Sequence, residues 1–285
     1  MESNNFKEQN INRIIDLAIS EDIGDGDHST LACVPKDSKG KAKLLVKENG
    51  IIAGIEIAQK VFNKIDQNLN LELFINDGTK VKPGDIVFNI EGSSHSILQA
   101  ERLVLNFMQR MSGIATNTNR YVEKLSGLKT KVLDTRKTTP GMRVLEKMAV
   151  KIGGGKNHRM GLYDMIMIKD NHIDFAGGIE KAIEKIQTYL DKYGKKIPVE
   201  IEVRNMKELA QVMKTGWVDR LMLDNFTTKE TLEAVKIIDG KYETESSGGI
   251  NLETIRAYAE CGVDFVSVGE LTHQIKSIDL SLKAI

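Results

Sequence analysis

The stretch VEIEVRNMKELAQVMKTGWVDRLMLDNFTTKETLEAVKIIDGKYETESSGGINLETIRAYAECGVDFVSVG, residues 199–269, decides the fold. Short apolar runs VEIEV (199–203), LMLDN (221–225) and FVSVG (265–269) read as strands, and the less apolar YETESSGG (242–249) holds the matching place in the spacing. The amphipathic stretches between them begin near Asn205, Thr227 or Thr228, and Asn251, and end on Gly216, Gly240 and Gly262. These are helix punctuation: a side-chain oxygen accepts an orphan N–H at the start, and glycine supplies the left-handed residue at the end. From Glu202 the steps to Asp224, Ser247 and Gly269 are 22, 23 and 22 residues, enough for one strand, one helix and two short loops. Repeated βα units imply parallel strands with right-handed crossovers.

Upstream, VLD (132–134) and MIMIKD (165–170) extend the series of strands. Polar residues or glycines recur where strands end: Asp134, Lys169, Glu202, Asp224, Ser247-Gly248-Gly249 and Gly269. In an α/β barrel every strand C-terminus faces one mouth, so such residues converge, whereas an open doubly wound sheet gathers ligands at a single switch point. The fold expected is therefore α/β, with a barrel over 113–270. That stretch is short for eight full units, so the barrel is expected to be incomplete.

The first half has another rhythm. Ile11, Ile14, Ile15, Ala18 and Ile19 share one side of an opening helix, which stops at the glycine- and aspartate-rich residues 21–27. That run is no EF-hand loop, since Thr30 stands where the pattern needs glycine. Residues 41–92 read as short strands and tight turns, with Asn49-Gly50 predicting a hairpin between KAKLLVKE and IIAGIEIA. No lysine sits at a hairpin tip in the manner of a lipoyl carrier. HSILQAERLVLNFMQRMSGIAT, residues 95–116, predicts a long helix leading out of this half.

Composition narrows the function. Forty basic and forty acidic side chains cancel, so no global field recruits nucleic acid or an anionic membrane. No stretch approaches the ~20 apolar residues of a membrane span, and residues 1–10 lack a signal core. Two cysteines far apart, Cys33 and Cys261, are expected as buried thiols rather than a disulfide or metal framework. A cytoplasmic protein is the expectation.

Chemistry concentrates between Asp134 and His172, which hold eight Lys or Arg against four Asp or Glu. Arg136 and Lys137 follow a strand, His158 and Arg159 follow a glycine run, and Lys169 ends another strand. Arginine's planar fork suits carboxylate or phosphate, and lysine adds a compact charge, so this is a pocket for a small anion. Arg143, Lys147 and Lys151 repeat every four residues, mark one helix face, and are left out. GGGKN (153–157) is no P-loop, because Val150 and Asn157 occupy positions that require glycine and Ser or Thr; a flexible loop over the mouth is expected instead. Glu202 and Asp224 end neighbouring strands, where paired acids suit Mg²⁺, ribose hydroxyls or a developing cation. Ser247, Gly248, Gly249 and Gly269 offer backbone N–H groups for a phosphate. His28, His95 and His273 have no partners at metal-ligand spacing, and no zinc site is read.

These residues resemble a known family. DTRKTTPGMRVLEKMAVKIGGGKNHRMGLYDMIMIKDNHI (134–173) is similar to the signature of quinolinate phosphoribosyltransferase, also called carboxylating nicotinate-nucleotide pyrophosphorylase. EDIGDGDHST, QAERLVLNFMQRMSGIAT, IEV followed by LMLDNF, SSGGI and VGELTHQIKSIDLSL resemble the same family, so the likeness runs from about residue 10 to the end. It implies transfer of a phosphoribosyl group from phosphoribosyl pyrophosphate to quinolinate with decarboxylation, giving nicotinate mononucleotide, pyrophosphate and CO₂, with Mg²⁺. It also implies an α/β-sandwich N-terminal domain over 1–112, completed by the tail 271–285, joined to the barrel, and a homodimer that completes each active site. By the resemblance Thr135, Arg136, His158, Arg159 and Lys169 hold quinolinate, with Arg102 arriving from the neighbouring subunit. Lys137 contacts phosphoribosyl pyrophosphate, Glu202 and Asp224 serve its ribose and Mg²⁺, and Ser247, Gly248, Gly249 and Gly269 seat its 5-phosphate. Lys137, Lys169, Glu202 and Asp224 are the catalytic set. Met148, Ser246 and Gln274 depart from the family pattern, and none is a proposed ligand.

Three rival readings compete with this one. A paralogous phosphoribosyltransferase-like protein of molybdenum-linked operons would take another acceptor, against the intact Arg136, His158, Arg159 and Lys169 set. A Schiff-base aldolase would use Lys169 as an amine nucleophile, but several cations around it favour ion binding. A nucleotide-sensing module would dispense with Glu202 and Asp224.

Overall fold

The computed structural model describes residues 2–285. The chain forms two compact units, one reaching Asn119 and including Thr138–Gly154 and Leu271–Ile285, the other Arg120–Lys137 with Gly155–Glu270.

In the first unit, α1 (Glu2–Ile23) and α2 (His28–Cys33) precede β1 (Lys39–Val46), β2 (Gly50–Ile51), α3 (Ile55–Ile65), β3 (Asn70–Leu73), β4 (Lys80–Val81), β5 (Ile86–Ser93) and α4 (Ser94–Lys124). The last strand of the chain, β12 (Leu280–Ala284), pairs with β1, giving an antiparallel sheet of order β12-β1-β5-β3. Alternation along β1 buries Ala42, Leu44 and Val46, and α3 buries Ile57, Ala58, Val61 and Phe62. Phe62 meets Phe88 of β5 edge-on at 5.9 Å between ring centroids. In α1, Ile11 and Ile15 are fully buried, and the helix gives way at Gly24, whose φ is +54°. Of the aspartates beyond it, Asp27 caps: it accepts the Thr30 N–H at 3.0 Å and opens α2.

The hairpin expected at Asn49-Gly50 does not form. Neither residue takes the positive φ that a two-residue hairpin turn needs. Both edges of β1 are taken, by β5 and β12, so β2 pairs with β4 instead. Cys33 is exposed rather than buried, Cys261 is buried, and both are free thiols.

The second unit runs β6 (Lys131–Leu133), β7 (Ile166–Ile168), α6 (Asp170–Ala176), α7 (Ile179–Tyr193), β8 (Val199–Val203), α8 (Met206–Thr215), β9 (Arg220–Asp224), α9 (Thr228–Ile238), β10 (Glu243–Ser247), α10 (Ile255–Glu260) and β11 (Phe265–Ser267), and ends at Glu270, the first residue of α11 (Glu270–His273). All pairings in its sheet are parallel and the order is β6-β11-β10-β9-β8-β7, a six-stranded barrel-like sheet that does not close, as its length required. The caps fall where the sequence puts them for two helices. Asn205 accepts from the N–H groups of Lys207 and Glu208, and Thr227 forms a capping box with Glu230. The third helix, α10, starts later than Asn251, which instead closes a turn by accepting from Glu253 and Thr254.

The helix α5 (Arg143–Ile152) lies between β6 and β7 in the chain but groups with the first unit rather than with the rest of 113–270. Its buried Val144, Leu145, Ala149 and Val150 give it an apolar face, it packs against α1, and Arg110 of α4 donates to Glu146 at 2.9 Å. Lys147 is buried as well, so the Arg143-Lys147-Lys151 repeat is not a solvated face.

Gly113 on α4 marks a close approach. A β-carbon there would lie 3.0 Å from the Ser277 Cα and 3.1 Å from the Lys276 carbonyl carbon. We expect Gly113→Ala to lower the unfolding free energy by about 1–3 kcal/mol through overpacking, read from urea denaturation.

Candidate active site

Parallel register decides which side chains meet in the second unit. Glu200 lies opposite Arg220, which lies opposite Glu243, while Met222 lies opposite both Glu202 and Glu245, and Asp224 opposite Ser247. Paired residues share a face, and successive residues alternate. One face therefore carries three rows, Glu200-Arg220-Glu243, Glu202-Met222-Glu245 and Asp224-Ser247, and burial sorts its acids into two layers: Glu200 and Glu245 are fully buried, whereas Glu202 and Asp224 lie nearer the solvent at the strand ends.

At the C-terminal ends, Lys169 follows β7 and its Nζ lies 3.2 Å from the Glu202 carboxylate. Its side chain is 47% exposed and that of Glu202 10%, so the pair straddles the boundary with solvent. Burial raises the Glu202 pKa, and the Lys169 charge opposes the shift. Asp224 adds a like charge to Glu202 and accepts from the Asn225 amide at 2.7 Å. Beyond β6, Thr135 accepts the Lys137 N–H at 3.0 Å, and Arg136 and Lys137 are exposed. Arg159 is buried, donates to the Met165 carbonyl at 3.1 Å, and has its pKa lowered by burial and then by the nearby Arg136 charge. After β10, Gly248 and Gly249 have φ of +99° and +61°, a sharp reversal only glycine makes without strain. Beside Gly269, the Glu270 carboxylate accepts from the buried Tyr121 hydroxyl.

His158 departs from its expected place. Its Nδ1 accepts the Arg159 N–H at 2.7 Å, and its Nε2 faces Glu200 at 2.9 Å and Glu245 at 3.5 Å. Both ring nitrogens are engaged inside the unit, and the residue is buried. The imidazole thus stands behind Arg159 and presents no nitrogen to a substrate carboxylate. The peptide N–H of His158 is fixed by the buried Asp134 at 2.8 Å. The expected loose loop is also tied down: Lys156 donates to the Val132 carbonyl at 2.9 Å and accepts from Asp134 at 3.1 Å, extending β6 by one bridge. The phosphate seat expected at helix N-termini reduces to the loop 247–249 and Gly269, because α10 begins only at Ile255.

Glu200 and Glu245 form a buried pair with no role read from the sequence. Together with His158 they place three ligand atoms within 4.8 Å of one another. The donor set argues against a metal. Since Nδ1 accepts a hydrogen bond, the ring proton sits on Nε2, and that nitrogen cannot ligate. The cluster is a proton-sharing one, with Arg220 at 3.4 Å from Glu245 and stacked over Phe265 at 4.2 Å. Burial, reinforced for Glu245 by the like charge of Glu200, pushes the Glu245 carboxyl up to about 8; burial pushes Glu200 up to about 7. The signal was present in the sequence: VEIEV sets Glu200 two residues from Glu202, hence on the same face.

Arg102 lies exposed on α4 in the first unit. Among the described residues no helix is long and apolar enough to cross a membrane.

Fold and site together define an anion-binding enzyme class: an incomplete parallel barrel with cations and two acids at its strand ends. Family comparison is specific about which. Residues 27–112 match the model of the quinolinate phosphoribosyl transferase N-terminal domain, and residues 114–283 that of the C-terminal domain. Quinolinate phosphoribosyltransferase [decarboxylating] 1b of Nicotiana tabacum is 46% identical over 95% of this chain and 81% of its own length. The probable nicotinate-nucleotide pyrophosphorylase [carboxylating] of Bacillus subtilis is 39% identical over 95% of this chain and 92% of its own. The solved nicotinate-nucleotide pyrophosphorylase of Francisella tularensis superposes with a TM-score of 0.91 at 42% identity, covering 97% of this chain and 96% of that one. The chain belongs to the quinolinate phosphoribosyl transferase family.

The buried acids give the fold a pH dependence. An acid whose folded pKa lies above its ordinary 4.5 keeps its proton longer folded than unfolded. Its contribution is whole below that value and is lost as pH rises through about 8. We expect unfolding free energy to fall between pH 5 and 8, and Glu245→Gln, which cannot ionise, to flatten that slope by up to ~1.4 kcal/mol per pH unit. Chemical denaturation at a series of pH values reads this; an unchanged slope counts against the shared proton.

Proposed function

We propose that the chain transfers the phosphoribosyl group of phosphoribosyl pyrophosphate to the nitrogen of quinolinate, with loss of pyrophosphate and then CO₂, giving nicotinate mononucleotide in NAD synthesis. The observation that carries this is the pairing at the strand ends of a cation set, Arg136, Arg159 and Lys169, with two acids, Glu202 and Asp224. A dicarboxylate needs the first, and a ribose that becomes cationic needs the second.

Arg136 and Arg159 hold the quinolinate carboxylates, Thr135 joins them from the turn after β6, where it accepts the Lys137 N–H, and His158 acts by fixing Arg159. Lys169 enters from its pair with Glu202, so an arriving carboxylate competes with Glu202 for the same ammonium. Lys137 meets the pyrophosphate, and the N–H groups of Ser247, Gly248, Gly249 and Gly269 seat the 5-phosphate. As the bond to pyrophosphate lengthens, the ribose gains oxocarbenium character, which Glu202 and Asp224 stabilise electrostatically. The quinolinate nitrogen attacks, and the quaternised ring accepts the electrons released when the adjacent carboxylate leaves as CO₂. No side chain needs to become a covalent nucleophile.

Hard carboxylate oxygens at Glu202 and Asp224 suit Mg²⁺, and because Lys169 already engages Glu202, the ion would be held largely through substrate phosphates and water. When bound it supplies charge neutralisation of the leaving pyrophosphate. We further propose a homodimer in which Arg102 completes the partner's site, and a cytoplasmic location.

Protein incubated with Mg²⁺, quinolinate and phosphoribosyl pyrophosphate is expected to yield CO₂ and nicotinate mononucleotide in equal amounts. Arg136→Ala should raise the quinolinate KM at least ~10-fold, as loss of a charge-assisted pair implies, and leave that of phosphoribosyl pyrophosphate near its original value. Absence of product despite binding of both substrates defeats the assignment. Mixing inactive Arg102→Ala with inactive Glu202→Ala subunits is expected to restore part of the activity. No recovery after demonstrated subunit exchange defeats the shared site.

A further inference from the structure

Asn225 follows Asp224 at the end of β9 and is one of three non-glycine residues with positive φ among the described residues, at +56°. Asparagine tolerates this region better than most residues, yet it remains a sparsely used conformation. The conformation places three groups. The side-chain amide donates to the Asp224 carboxylate at 2.7 Å. The backbone N–H donates to the Ser247 carbonyl at 2.9 Å, tying the end of β9 to that of β10. The side chain also fills the space beside Gly248, where a β-carbon would lie 2.6 Å from the Asn225 Cγ and 2.9 Å from its N, and nearer still to Oδ1. One residue thus contacts both an acid proposed to face the ribose and the turn proposed to seat the 5-phosphate.

We propose that Asn225 is a positioning residue for the phosphoribosyl half of the site. Its amide fixes the Asp224 carboxylate, and its bulk and N–H set the Ser247–Gly249 turn, so that acid and phosphate seat present themselves at a fixed spacing. The inference rests on the reading of Asp224 and the SGG turn given above. A phosphorylated pentose with a leaving group at its anomeric carbon needs that spacing, because its phosphate, carried on the exocyclic carbon, and its reacting carbon lie on opposite sides of one five-membered ring. The partner chosen for Asp224 matters too. Glu202 is held by the cation of Lys169, whereas Asp224 is held by a neutral amide and so keeps its whole charge for the ribose.

Two variants test this. Asn225→Gly keeps the backbone conformation without strain and removes the amide. Asn225→Asp keeps shape and turn but replaces the donor with a carboxylate beside Asp224. Both are expected to lower kcat/KM for phosphoribosyl pyrophosphate at least ~10-fold, while the quinolinate dissociation constant, measured calorimetrically without the second substrate, stays within ~2-fold and the melting temperature is retained. Asn225→Gly or Asn225→Asp with unaltered kcat/KM overturns the proposal, and so does loss of quinolinate binding in step with kcat/KM, the mark of a general structural role. A wild-type protein that makes no nicotinate mononucleotide would fail at the earlier step, so the two ideas fail separately.

Discussion

Charge taken out of water must be paired or protonated, and in the second unit the alternation of parallel strands sends acids inward in pairs. Glu200 and Glu202 come from β8, Asp224 from β9 and Glu245 from β10, whose first residue, Glu243, stays exposed. Barrel interiors are ordinarily filled by branched apolar layers. Here the acids of the deeper layer are neutralised by protonation and by Arg220, and the His158 ring faces them through Nε2. Those at the strand ends are neutralised only partly, by Lys169. That difference separates structure from function. The deep layer has its charges settled within the fold, and the outer one has charge left over for ligands.

His158 joins the two layers. Its ring is oriented by Glu200 and Glu245 below, and its Nδ1 accepts the N–H of the next residue, Arg159. Sequence position alone could not show this, because a histidine between Asn157 and Arg159 in a cationic run looks like another ligand. Only burial and the direction of the two ring nitrogens turn it into a support. The same holds for Lys156, whose backbone bridges to β6 although its neighbourhood of glycines reads as a loose loop.

Much of the architecture was nevertheless legible. Strand places in the second unit, the caps at Asn205 and Thr227, the parallel direction and the incomplete barrel all follow from local chemistry repeated at a near-constant step. The first unit was less legible. Asn49-Gly50 carries a hairpin signal, but β1 has only two edges, and strands distant in sequence, β5 and β12, occupy both. Likewise α5 carries an apolar face whose destination, α1, lies far back in the chain. Local signals name elements well; competition for partners is not local. Asn225 was missed for another reason: a polar residue after a strand is commonplace, and its meaning lies in a positive φ that sequence does not display.

The two acids at the strand ends have unlike partners, and this bears on the order of events in the proposed reaction. While Lys169 lies against Glu202, that acid is partly neutralised, whereas Asp224 is held by a neutral amide. A quinolinate carboxylate that draws Lys169 away would restore charge to Glu202 at the moment the acceptor is in place. The ribose would then meet two free acids rather than one, and its cationic character would be stabilised most when a nucleophile is present to use it. A site built this way disfavours loss of pyrophosphate to water, since without the acceptor the second acid stays paired. Coupling of that kind requires one cation free to pass between two anions, and a Lys169 that lies 3.2 Å from Glu202 while half open to solvent suits that exchange in the proposed reaction.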